Sequence, residues 1–203
     1  MPSAGLSEPA LALLREAVTD PATVARYRAK TRLIAGSSCL WWLGAISARG
    51  HGRFWIGQID GTAVDGTAVD GTAVDGVAGR RDVVVIAHRF AWALEHGVDA
   101  LQDVSVLGHR CDNPLCQQLG PGHVQRSSHA NNRREWATRR HAFNTPLRDS
   151  RGSRGRARQI RDVLRQDATP DALAAAVADG LRDDVEQLAL WPGLDALDAS
   201  AVA

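Results

Sequence analysis

His109-Arg110-Cys111-Asp112-Asn113-Pro114-Leu115-Cys116, followed by His123 and then by Ser127-Ser128-His129-Ala130-Asn131-Asn132-Arg133-Arg134, is the stretch that decides the fold. Cys111, Cys116 and His123 stand at short, uneven spacings in a Pro/Gly-rich loop, the pattern of three ligands of a closed zinc site. Residues 104–107 read as a short apolar strand running into His109, and residues 123–126 as a second strand. Ser127 or Ser128 is placed to cap a helix from about 129 to 141. The expected order is strand, metal-tied loop, strand, helix.

The chain has three cysteines, an odd number, and its first residues lack a basic start followed by an apolar run. Both facts argue against a disulfide framework and for an intracellular, cytoplasmic protein that uses its thiols for metal. A structural zinc takes four ligands. The one cysteine left is Cys39, in Ser38-Cys39-Leu40-Trp41-Trp42. It either completes the set or is a small buried apolar side chain.

The formal net charge of +1 hides a split. Residues 133–165 hold eleven Arg against Glu135, Asp149 and Asp162, and from 166 onward eight acidic residues face Arg182 alone. The basic block is an electrostatic footprint for phosphate, and the acidic tail is not. Lys30 is the only lysine among 24 basic residues. Arg offers bidentate contacts to phosphate and guanine, although a GC-rich bacterial or phage genome also favours it. No apolar run is long enough to span a membrane.

Three segments follow outward from the deciding stretch. Residues 1–35 read as helical, with a break near Asp20-Pro21. Residues 36–142 form the core: strands at 40–46 and 52–59 in a hairpin, a short helix at 87–96 ended by Gly97, then the metal-tied stretch. Three tandem Gly-Thr-Ala-Val-Asp copies within 60–76 read as an expanded loop between neighbouring strands. Residues 143–203 read as an Arg-rich linker, loop-like over 144–158, then helical pieces at 159–164 and 172–190. A docking segment at Leu190-Trp191-Pro192 precedes a disordered end. Arg151-Gly152-Ser153-Arg154-Gly155-Arg156 is similar to a minor-groove arm. Trp41, Trp42, Trp55 and Trp92 are expected in the core, Trp136 packed, and His51, His96 and His141 on the surface.

The chain from Cys39 to about Arg140 resembles HNH endonucleases of the ββα-metal (His-Me finger) superfamily, nearest the zinc-loop branch of the His-Cys box homing endonucleases. The residues that carry the resemblance are Cys39, Gly50-His51-Gly52-Arg53-Phe54, Ala87-His88-Arg89-Phe90, the run from His109 to Cys116, His123 and Asn132-Arg133. It implies an α+β fold with a ββα-metal core, a preceding β-hairpin, a structural zinc loop and flanking helices. It implies Cys39, Cys111, Cys116 and His123 as zinc ligands, His109 as the general base and Asn132 as the protein ligand of a catalytic magnesium. Spacing from His123 favours Asn132 over Asn131, because adjacent helix positions point about 100° apart. Arg53 matches the family's arginine on the scissile phosphate. Gly108 departs from the many members that carry an acidic residue before the base.

Phosphodiester hydrolysis needs an activated water, a counter-charge for the developing phosphorane and a proton for the leaving oxygen. A neutral histidine can take the water's proton. A magnesium ion on one or two protein oxygens keeps sites for substrate phosphate. DNA is therefore the expected partner, with Arg133, Arg134, Arg139 and Arg140 along its phosphates, and a second copy of the chain a further one. His88 and Arg89 are expected to hold the site by hydrogen bonds, and His129 to cap its helix or meet phosphate. The competing readings are a non-catalytic zinc-containing nucleic-acid-binding module and a protein-interaction domain acting through its acidic tail. Neither needs His109 and Asn132 together.

Overall fold

The computed structural model describes residues 6–61, 73–75, 79–142 and 145–181. Helix α1 (Glu8–Thr19) carries Ala10, Leu11, Leu14 and Ala17 on one face, and that face is buried. Asp20 caps α2 (Pro21–Arg28) by accepting from the amides of Ala22 and Thr23. The helical reading of residues 1–35 stops short, at Arg28. Thr31–Leu33 is a strand, β1, because its backbone pairs antiparallel with β2 (Leu40–Trp42).

The expected hairpin forms between β3 (Ala45–Ile46) and β4 (Gly52–Gly61), with Ala45 opposite Arg53. β5 (Ala73–Asp75) and β6 (Gly79–Ile86) complete a four-stranded antiparallel sheet of order β3-β4-β6-β5. β4 and β6 pair out to Gly61 opposite Gly79, on either side of the repeat. Ala73–Asp75 of the last repeat copy form β5, and residues 62–72 lie outside the described residues. Strand alternation turns Phe54 and Ile56 inward and Trp55 outward. Trp55 is therefore 43 % exposed rather than core, and its indole donates to Asp82.

Tyr27, Trp42, Phe54 and Phe90 meet at the centre, with ring centroids 4.7 to 6.0 Å apart. Gly52 is required where β4 crosses this cluster: a Cβ there would stand 2.6 Å from Trp42 Cδ1. α3 (Ala87–His96) leaves the sheet directly from β6 and buries Phe90, Ala91, Trp92 and Ala93. α4 (Val98–Gln102) follows. A two-stranded antiparallel pair, β7 (Val106–His109) and β8 (Val124–Ser127), then runs straight into α5 (His129–Arg139), which Ser128 caps through the Asn131 amide. The fold is α+β.

The loop reading of 144–158 is corrected. After a 3-10 turn at Pro146–Arg148, α6 (Gly152–Gln166) takes up the supposed minor-groove arm and packs against α7 (Pro170–Ala178). Ala157, Ile160 and Leu164 bury one face of α6. Its start is pinned by the fully buried carboxylate of Asp149, which Arg151 approaches to 2.6 Å and Arg156 to 3.4 Å. Two of the arm's arginines are thereby held against a buried carboxylate, Arg156 buried itself and Arg151 half-buried. Buried residues from α1 to α7 belong to one apolar core. Residues 182–203, with the expected docking segment and most of the acidic tail, lie outside the described residues. No described helix is long and apolar enough to cross a membrane.

Candidate metal centre and adjoining cleft

Backbone pairing brings the four candidate ligands together. The Trp42 amide donates to the Leu115 carbonyl at 2.9 Å, and the Gln117 amide to the Leu40 carbonyl at 2.7 Å. Those bonds and an antiparallel bridge between Trp41 and Cys116 lay β2 along the chain at Cys116 and bring Cys39 beside it. Ser37 Oγ accepts from the Cys39 amide and from the Trp41 indole, fixing the turn before β2. Past the last rung of β7–β8, the Arg110 amide donates to the His123 carbonyl at 2.9 Å. Asp112 makes the tight turn at φ +50°, the left-handed region that Asp tolerates better than most residues.

The ligand atoms of Cys39, Cys111, Cys116 and His123 all lie within 4.8 Å of one another, the only such group among the described residues. His123 Nδ1 is 3.5 Å from Cys116 Sγ and 3.8 Å from Cys39 Sγ. A tetrahedral zinc with ordinary bond lengths would set sulfur–nitrogen edges of about 3.6 Å, so the donor set fits that ion. The thiols themselves ask for a cation. Hydrogen bonds from Cys111 and Cys116 hold the Cys39 thiol down to about 2, while Cys111 and Cys39 push Cys116 up. Three thiols this close cannot all ionise unless a dication offsets the charge.

The turn between the ligands is tied to α5. Arg139 donates to both carboxylate oxygens of Asp112, at 2.8 and 2.9 Å, and Arg110 pairs with Glu135 at 2.9 Å. Arg139 is thus a structural strut, not an arginine free for DNA phosphate as expected. Arg133, Arg134 and Arg140 are exposed. The Arg140 guanidinium lies 4.7 Å from the ring centre of Trp136, itself 47 % exposed rather than packed.

Beside the metal centre opens a cleft of about 500 Å³. Ser47, Ala48, Arg49 and His51 of the β3–β4 turn form one wall, and Ile86, His88 and Arg89 at the start of α3 another. His129 and Asn132 from the first turn of α5 complete it, with Ser105, Val106 and Leu107 between. A Cβ at Gly108 would stand 3.2 Å from Asn132 Oδ1, so that oxygen faces the bare backbone of β7. Asn131 turns away, and its Oδ1 accepts from Arg134 at 3.4 Å. Arg53 is not among the lining residues, whereas Arg49 and Arg89 are.

His109 is half-buried and is not among the lining residues either. Its Nε2 lies 3.2 Å from Nδ1 of His88, and its own Nδ1 is enclosed without a partner. His88 is 5 % exposed and lines the cleft. His51, expected on the surface, is half-buried, with its ring centroid 5.5 Å from those of both His88 and His109. Burial, with His51 close by, holds His109 down to about 3. Burial likewise keeps His88 well below the usual histidine value, and His51 below it. All three rings are therefore neutral at neutral pH. The sequence singled out Ala87-His88-Arg89-Phe90, but no local pattern could pair His88 with a ring 21 residues away.

Comparison with protein-family models, with curated proteins and with solved structures found no match.

Proposed function

We propose that this protein is a metal-dependent endonuclease that hydrolyses DNA phosphodiester bonds on a zinc-tied ββα-metal core formed by β7, β8 and α5. One observation carries the reading. The first turns of two helices, α3 and α5, open onto the same cleft as Arg49, Arg89, Asn132 and a cluster of neutral histidines. Helix starts present unsatisfied N–H groups and a positive dipole end, and α3 has no side-chain cap to occupy its own. Such a cleft accepts a phosphate and offers it a base.

The roles follow from position. Zinc on Cys39, Cys111, Cys116 and His123 fixes the turn after His109. Asn132 Oδ1, facing the Cβ-free backbone at Gly108, is the protein oxygen available to a catalytic magnesium. When bound, that ion supplies counter-charge to the phosphate. Arg49 and Arg89 hold the diester, and the exposed Arg133, Arg134 and Arg140 follow the flanking strand. His109, the base that the resemblance implies, reaches the cleft through His88.

The test is cleavage of supercoiled plasmid by zinc-loaded protein with and without magnesium, beside His109→Ala. Magnesium-dependent nicking that EDTA abolishes and the substitution lowers supports the reading. No cleavage of double-stranded DNA, single-stranded DNA or RNA with magnesium or manganese refutes it. Binding without cleavage would favour the nucleic-acid-binding module.

A further inference from the structure

We propose that His88, not His109, is the histidine that meets the attacking water, with His109 as the residue that orients it. The inference rests on the nuclease reading above and assigns its base.

Four observations carry it. His88 lines the cleft and His109 does not. Both nitrogens of His109 are taken out of reach: Nε2 faces His88 Nδ1 at 3.2 Å, and Nδ1 is enclosed. With Nδ1 committed to His109, Nε2 is the nitrogen His88 has left for a ligand. The two rings stand at 90° with centroids 4.6 Å apart, so the contact between their nitrogens is edge-on rather than a stack. His88 also sits in the first turn of α3, whose start has no side-chain cap and would suit an adjacent phosphate.

The pair has the logic of a base held by a second group that fixes its tautomer. His88 Nδ1–H donates to His109 Nε2, which leaves a lone pair on His88 Nε2. A cleft water gives its proton to that nitrogen as its oxygen forms a bond to phosphorus. The bond from phosphorus to the leaving oxygen breaks with its electron pair, and that oxygen takes a proton from solvent. His88 then returns its proton to solvent. The balance is one water and one diester giving a phosphate monoester and an alcohol. His109 precedes the metal-tied turn by two residues, so the ordered loop reaches His88 through this bond.

Substitutions separate the two assignments. Asn at 88 places an amide where Nδ1 lies and keeps the bond to His109, but offers no base. Gln at 109 places an amide where Nε2 lies and keeps the bond to His88. We expect His88→Asn to lose a hundredfold or more in plasmid nicking, as expected for loss of a general base (~10²–10⁴). His109→Gln should lose only about tenfold, as for an orienting partner. Added imidazole should restore nicking to His88→Ala, whose space opens on the cleft, and not to His109→Ala. Zinc content and thermal unfolding identify any variant that fails to fold. A folded, zinc-loaded His88→Asn that nicks within a few-fold of wild type, or a folded, zinc-loaded His109→Gln that loses a hundredfold or more, overturns the inference while leaving the nuclease standing. Absence of nicking by the wild type overturns both.

Discussion

Arg139→Ala removes the strut between α5 and the metal-tied turn, and its cost can be worked from the geometry. Two hydrogen bonds, at 2.8 and 2.9 Å, join the guanidinium to a carboxylate whose side chain is 10 % exposed, while Arg139 itself is 26 % exposed. A hydrogen bond to a charged group contributes about 1.5–3 kcal/mol. Solvent reaches the arginine side, so the pair is discounted toward the lower end of that range. Leaving Asp112 enclosed without its partner adds to the loss, for a net cost of about 2 kcal/mol. In a chain of this length each kcal/mol shifts Tm by about 2–4 °C, so the midpoint should fall by about 4–8 °C. Thermal unfolding of zinc-loaded protein measures this, with Arg133→Ala as the exposed control expected to stay within about 1 °C. Asp112→Asn keeps a residue that tolerates φ +50°. Combined with Arg139→Ala, it should show a coupling of about 1–2 kcal/mol. Equal midpoints for Arg139→Ala and Arg133→Ala would refute the strut and return Arg139 to the DNA-facing arginines.

Two further outcomes follow from close contacts elsewhere. Gly108→Ala puts a methyl 3.2 Å from Asn132 Oδ1, so nicking should fall by at least tenfold while Tm moves by less than about 3 °C, measured on the same preparations. Burial pushes the Asp149 carboxyl up, but the hydrogen bonds and charge of Arg151, joined by Arg156, outweigh it and hold the group below the usual carboxylate value. A depressed carboxylate stabilises the fold above its unfolded pKa, and that stabilisation is lost as pH falls through the folded value. Denaturant unfolding should therefore show Asp149→Asn less stable than wild type at pH 7, with the gap closing below about pH 4. A gap that persists unchanged at pH 2.5 would show that charge is not its origin.

The strand–loop–strand–helix order from residue 104 to 139 was legible because each signal there is local: short apolar strands, close-spaced ligands, a serine cap. Cys39 could be tied to the set because no other cysteine was left. Failures came where distant pairing overrides local pattern. Residues 31–33 follow a helix and have no strand signature of their own; β2 makes them a strand. Gly152 and Gly155 disguised α6, whose Ala157, Ile160 and Leu164 already had helical spacing. Arg139 reads as one more cation on a basic helix, and only the fold shows Asp112 facing it. The histidine cluster joins a hairpin turn, a helix start and a strand end, so no stretch of sequence contains it.

Closing the candidate metal centre on an ion would also set the scale of a ring. Cys39 and Cys111 bracket about seventy residues, and the tandem Gly-Thr-Ala-Val-Asp copies lie inside that ring. Closing a chain into a loop costs entropy only as the logarithm of its length, about (3/2)RT per unit of ln n. One more five-residue copy would lengthen the ring by less than a tenth and change that cost by less than about 0.1 kcal/mol. Copy number is thus almost invisible to the energetics of metal closure. Gain or loss of a unit by slippage during replication would pass through the coding sequence with the metal clasp, the cleft and the histidine pair left where they are.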